Sequence, residues 1–169
     1  MLRPIVRYGT AGLAAKAGPV TDFGADLHQL VDDMVETMYA APGIGLAAPQ
    51  VGVPLRLSVI DLSGGKRGGE LLTLVNPEFL EREGMQLLEE GCLSVPGFEA
   101  TVARPVRVVI RAQDRHGVSR TIEGTGLLAR AIQHEVDHLD GLLFLDRLRG
   151  IKRDLILRKV RKLQRAGKW

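Results

Sequence analysis

Thr125-Gly126-Leu127-Leu128-Ala129-Arg130-Ala131-Ile132-Gln133-His134-Glu135-Val136-Asp137-His138-Leu139-Asp140-Gly141 is the stretch on which the reading of this chain turns. Thr125 is a helix-start residue, and Leu128, Ile132 and Leu139 recur on one helical stripe. Leu127, Ala131, His134 and His138 form the neighbouring stripe, and Gly141 ends the pattern. Upstream, the segments around Leu55 to Leu62, Leu71 to Val75 and Val106 to Ile110 are rich in aliphatic and branched residues. The last alternates apolar residues with Arg107, as a half-buried strand does, and Asp114-Arg115-His116-Gly117 then reads as a hairpin turn. Strands that come first, a motif helix that comes late and connections too irregular for repeated βαβ units give an α+β fold.

Working outward, Leu27, Leu30, Val31, Met34, Val35 and Met38 mark an amphipathic helix between Thr21/Asp22 and Pro42-Gly43. Gly43-Ile44-Gly45-Leu46-Ala47-Ala48-Pro49-Gln50 follows, small residues with neither helical nor strand periodicity, where backbone can approach something closely. A third helix from near Ile151 is expected to turn Leu155, Val160 and Leu163 inward. With 169 residues and no linker or repeat, residues 1–169 read as one domain, with a basic tail from about 150. Hydrophobic residues at 45% and charged residues at 25% argue for a packed core and against disorder. A single cysteine excludes an intrachain disulfide and suits a reducing, cytoplasmic setting. No apolar run is long enough to span a membrane. The first 21 residues hold Arg3, Arg7 and Lys16 without an acid, but no serine precedes Ser58, so a transit segment is not expected. From Arg149 onward nine Lys or Arg face one acid, a net +8, which leaves −5 on the rest of a chain whose total is +3. Together with only 4% aromatics, that acidic body argues against DNA or RNA binding as the main role. His28, off the apolar stripe of its helix, and His116, at a turn tip, receive no role.

The chemistry lies in His134-Glu135-Val136-Asp137-His138. Two imidazoles four positions apart share a helical face at the separation one metal ion needs. Glu135 falls about 100° around the helix from His134, within reach of a water on that ion without being a ligand. A third ligand is missing from the motif itself. No histidine follows His138 and no glutamate follows Glu135. Asp140 is too near on the helix, and Asp146 and Asp154 sit in connecting and solvated stretches. Upstream, the strong metal-binding side chain is Cys92, beside Gly91, and Cys plus two His with one open position is a known catalytic arrangement.

Three separated segments now stand in order: Gly43-Ile44-Gly45-Leu46-Ala47-Ala48-Pro49-Gln50, Glu90-Gly91-Cys92-Leu93-Ser94, and Gln133 through Gly141. In these the chain resembles the peptide deformylase family, from about Pro4 to the basic tail. The resemblance implies small antiparallel or mixed β-sheets packed around a central helix carrying the histidines, with an N-terminal helix and a C-terminal basic helix. It also implies a metal-dependent hydrolase that removes the N-formyl group from the formyl-methionine of newly made proteins and releases formate. Cys92, His134 and His138 would hold Fe2+, and Glu135 would act as general acid and base. The Gln50 amide and the Leu93 backbone N–H would stabilise the oxyanion. By the same resemblance Gly45 presents its backbone to the peptide, and Ile44, Leu88, Leu127 and Ala131 are either pocket wall or ordinary core. Arg104, Arg130 and Asp137 match family positions, as a network orienting the ligands or as a plain surface ion pair. Some members carry an arginine seven residues after the metal cysteine where this chain has Glu99, so a contact through that arginine does not transfer. The basic helix would dock on the ribosome, near emerging nascent chains, or simply face solvent.

The donor set itself admits Zn2+, Ni2+ or Co2+ as readily as iron, which enters only through the resemblance. The competing enzyme reading is a zinc peptidase of the HExxH type, weakened by the absent downstream ligand.

Overall fold

The computed structural model describes residues 1–169. Its elements in chain order are α1 (Ala25–Ala40), β1 (Gly45–Ala47), β2 (Leu57–Ile60), β3 (Leu72–Glu83), β4 (Gln86–Cys92), β5 (Val95–Arg104), β6 (Arg107–Gln113), β7 (Ser119–Thr125), α2 (Gly126–Leu139) and α3 (Ile151–Arg165). Five strands form one sheet in the order β1-β2-β3-β6-β7, and β4 and β5 form a separate hairpin. All these pairings are antiparallel. The fold is α+β, as expected.

Side-chain alternation explains why the sheet needs a helix on each face. In β2, Leu57 and Val59 pack with Val31, Met34 and Met38 of α1, whereas Ile60 packs with Ala129, Ile132 and Val136 of α2. Val75 and Leu74 divide between the same two clusters. Successive strand residues point to opposite faces, so a strand buried on both sides reads as a continuous apolar run rather than an alternation. In β2 all four residues, Leu57 to Ile60, are buried, and only Ser58 interrupts the apolar run. Gly141, at φ +77°, then turns the chain out of α2 at a place where an added Cβ would meet the Ala14 carbonyl oxygen at 2.7 Å.

Two sequence expectations are corrected. Within the small-residue run, Gly45–Ala47 is a strand and Ala48–Val51 a single 3-10 turn. Three residues are too few to show a period, and the strand exists because Ile60, Val59 and Ser58 supply its pairing edge. In α3 the buried residues are Leu157 and Val160, while Leu155 is 45% exposed and Leu163 half-buried. Leu157 and Val160 are three apart and share a face, whereas Leu155 lies about 200° from Leu157 around the helix. Leu157 packs with Val95 and Val102 of the hairpin and with Phe144, which ties the tail helix to the strands that carry Cys92.

Candidate active site

His134 and His138 project from the same face of α2, with ring centroids 5.0 Å apart and planes at 70°. Cys92 closes β4, and its Sγ lies 3.4 Å from His138 Nε2. The three donor atoms all lie within 4.8 Å of one another. Ligand atoms about 2.0–2.3 Å from a tetrahedral ion are separated from each other by about 3.3–3.6 Å. The sulfur–imidazole distance therefore already matches a coordination edge, and Cys92, His134 and His138 would suit a divalent metal ion.

His134 is oriented from behind. Its Nδ1 lies 2.8 Å from Glu90 Oε1, which directs Nε2 forward. Burial opposes protonation of His134, but Cys92 and Glu90 together hold its pKa well above the ordinary value. Burial and the neighbouring His134 push His138 well below it. Glu90 also accepts bonds from Arg104 Nη2 at 2.9 Å and from Arg130 Nη1. Arg104 donates onward to Asp137 at 2.9 Å. Arg104, Arg130, Glu90 and Asp137 are all under 10% exposed, so this is an interior network and not a surface ion pair. The role of Glu90 was not drawn from the sequence. The available signal was strand alternation, since residues two apart, Glu90 and Cys92, face the same side.

Glu135 is buried beside the ligands and Oε2 has no hydrogen-bond partner. Burial pushes its carboxyl up to about 7, where it can both accept and return a proton near neutrality. The small-residue run fits against it: at Gly45 an added Cβ would collide with the Glu135 carboxylate. Gln50 completes this side. Its Oε1 accepts from the Ala47 N–H at 3.0 Å, which turns the amide nitrogen toward Ser94 Oγ at 3.1 Å and Cys92 Sγ at 3.6 Å. Leu93 follows Cys92 in the turn of the hairpin.

Several of these groups line a cleft of about 1160 Å³, from which His138 is absent. Gly45, Gln50, Cys92, Leu93, His134 and Glu135 are in its wall. Ile44 and Leu127, both partly exposed, and the buried Ala131 are there too. Leu88, 50% exposed on β4, is not among the lining residues. Glu99 lines the cleft opposite Gly91.

Residues 2–154 match the model of the polypeptide deformylase family. The chain belongs to this family. A peptide deformylase of Acidobacterium capsulatum is 53% identical over 169 residues, covering 100% of this chain and 99% of that one. One of Thermodesulfovibrio yellowstonii is 49% identical over 157 residues, or 93% and 95% of the two chains. The crystal structure of a peptide deformylase from Legionella pneumophila superimposes with a TM-score of 0.92 at 47% identity, covering 99% and 98%. That of the Ehrlichia chaffeensis deformylase in complex with actinonin gives 0.89 at 38% identity, covering 97% and 98%. The chain is thus a hydrolase of the deformylase kind, and family membership does not favour the peptidase reading.

Proposed function

We propose that the enzyme removes the formyl group from the N-terminal formyl-methionine of newly made polypeptides, releasing formate. The observation that carries this reading is Glu135 itself, buried with a free carboxylate oxygen in the wall of the same cleft that Cys92 and His134 line, next in sequence to one of the three clustered donors Cys92, His134 and His138. A divalent ion on those donors, taken as Fe2+ on the family resemblance, with Zn2+, Ni2+ or Co2+ accepted by the same atoms, supplies Lewis acidity and makes a water nucleophilic near neutral pH.

Glu135 takes the proton of the attacking water and returns it to the departing amine. The Gln50 amide N–H and the Leu93 backbone N–H donate to the oxyanion that forms at the formyl carbonyl. Gln50 is suited to this because Ala47 fixes its amide orientation. The edge of β1 at Gly45 pairs with the extended peptide through main-chain bonds, which tolerates many sequences after the first residue. Ile44, Leu127 and Ala131 give the methionine side chain an apolar wall.

The full chain acts as one catalytic domain in the cytoplasm, with α3 as a basic appendage for the ribosome. Lys152, Arg158, Lys159, Arg161, Lys162 and Arg165 are exposed on α3, a surface matched to a polyanion. No helix is long and apolar enough to cross a membrane.

The test is anaerobic assay of formyl-Met-Ala-Ser for formate, with metal analysis of the same sample. Glu135→Gln should keep one ion and lower turnover by at least about 100-fold. Near-normal turnover in a fully metallated variant refutes the role given to Glu135, and absence of formate release by the wild type refutes the activity.

A further inference from the structure

The ion-pair chain behind His134 continues past the interior to the surface. Asp137 accepts three side-chain hydrogen bonds: one from Arg104 Nη1, and two from Arg147, through Nη2 to Oδ1 at 2.7 Å and Nε to Oδ2 at 3.1 Å. Asp137 is 8% exposed and Arg147 is 47% exposed. Arg147 belongs to the short 3-10 turn Phe144–Arg147 that leads into α3. A continuous line of charged hydrogen bonds therefore runs from this turn through Asp137, Arg104 and Glu90 to Nδ1 of His134.

Removing Arg147 takes away two of the three side-chain donors of a buried carboxylate. The remaining demand falls on Arg104, the guanidinium that also has to hold Glu90, and Glu90 is what orients His134. Competition for one guanidinium between two buried acids is costly: the acid with the least other support draws it, and the other is held less firmly. Glu90 keeps Arg130 as a second partner, whereas Asp137 has no other side-chain donor, so Arg104 is drawn toward Asp137.

We propose that Arg147 is a positioning residue for the metal centre, acting through Asp137, Arg104 and Glu90 on His134 and setting how firmly the ion is retained. The proposal rests on Cys92, His134 and His138 being the ligands. Arg153, whose Nη2 bonds Asp146 at 3.3 Å, is the internal control, because it braces the same turn without joining the network.

The experiment loads wild type, Arg147→Gln, Arg147→Lys and Arg153→Gln with Zn2+ or Co2+. Ion release to excess chelator is followed well below each protein's unfolding temperature, and kcat and KM are measured on formyl-Met-Ala-Ser. Arg147→Gln is expected to release the ion about tenfold faster than wild type, the lower end of what outer-shell partners of ligands contribute. Its kcat should fall with KM unchanged. Arg147→Lys, which keeps the charge and loses the fork, should fall between, and Arg153→Gln should match wild type. Release from Arg147→Gln within twofold of wild type overturns the proposal, as does equal acceleration by Arg153→Gln, which would mean that docking of the turn matters and the ion pair does not. If Arg147→Gln does not fold, the comparison of Arg147→Lys with Arg153→Gln decides, and equal release from those two overturns it. A wild type that binds no stoichiometric ion and makes no formate overturns the functional reading as well, whereas an active wild type with unaltered variants overturns this inference alone.

Discussion

Replacing Gly45 with alanine should separate catalysis from folding. Gly45 lies in β1, where the strand backbone accepts alanine without strain, so the substitution acts through its methyl group. That methyl would overlap a carboxylate oxygen of Glu135 and stand 3.0 Å from its Cδ and 3.2 Å from its Cγ. Restoring ordinary contact requires the carboxylate to move by about 1 Å, and misplacement on that scale costs on the order of 100-fold in rate. The corresponding loss of transition-state stabilisation is about 2.7 kcal/mol. Glu135 Oε2 holds no hydrogen bond that the shift would break, so the stability cost should stay near that of one extra core methyl, about 1–3 kcal/mol. The assay is formate release from formyl-Met-Ala-Ser at saturating and limiting peptide, on protein whose ion content equals that of wild type. The expected result is a kcat lower by about 100-fold. A kcat within a few-fold of wild type at full ion occupancy would show that Glu135 does not need the space Gly45 leaves, and would remove the explanation of why the small-residue run abuts the metal site.

Cys92→Ala should lose the ion or the activity, and the ferrous enzyme should be inactivated by peroxide sooner than a nickel-substituted form; unchanged ion content and activity in Cys92→Ala would exclude the thiol. Burial tends to raise the Glu90 pKa, but hydrogen bonds from His134 and Arg104 outweigh it and lower the carboxyl from 4.5 to about 2. A depressed carboxyl contributes stability above its unfolded pKa and loses it as pH falls through the folded value. The stability gap between wild type and Glu90→Gln, measured by urea unfolding, should therefore be widest above about pH 5 and narrow toward pH 2, and a gap independent of pH would contradict the pairing. A chain stopped after Arg149 loses the buried Leu157 and Val160, each a contribution of about 1.5–3 kcal/mol, and should melt earlier while still turning over short formyl peptides in the cold. In co-sedimentation it should bind ribosomes far more weakly than the full chain, with equal binding by the two excluding α3 as the contact.

What the sequence discloses here follows from the range of the interactions involved. The α2 helix, with His134 and His138 four residues apart, is a local pattern, and so is α1 with its Leu30, Met34 and Met38 stripe. The β4–β5 hairpin gave no comparable signal, because Leu87 and Leu88 are both exposed and the strands are held instead by ion pairs from Glu90 and Arg104 and by Val95 and Val102 packing under α3. β1 was illegible for a related reason: its three residues are strand only because β2 lies beside them. In α3 the cations mask the apolar face, and the register of Leu157 and Val160 depends on where the hairpin lies. Cys92 is legible as the residue that completes a histidine pair; strand alternation puts Glu90 on the side of Cys92 but does not name its partner His134, 44 residues away, and no local pattern pairs Arg147 with Asp137, 10 residues away.

The division of the donor set between two bodies of the fold has a further effect. Cys92 lies on a hairpin that pairs with no other strand, while both histidines lie on a helix packed against the main sheet. An ion held by all three links points 42 positions apart in the chain, Cys92 to His134, and so acts as a crosslink. Treated as a disulfide closing a loop of that length, it would withhold about 4 kcal/mol of chain entropy from the unfolded ensemble. The catalytic ion and the thermal endurance of the molecule are then one variable: cells short of metal would hold an enzyme that is both idle and quicker to be degraded, and supplying the ion would restore turnover and lifetime in a single step.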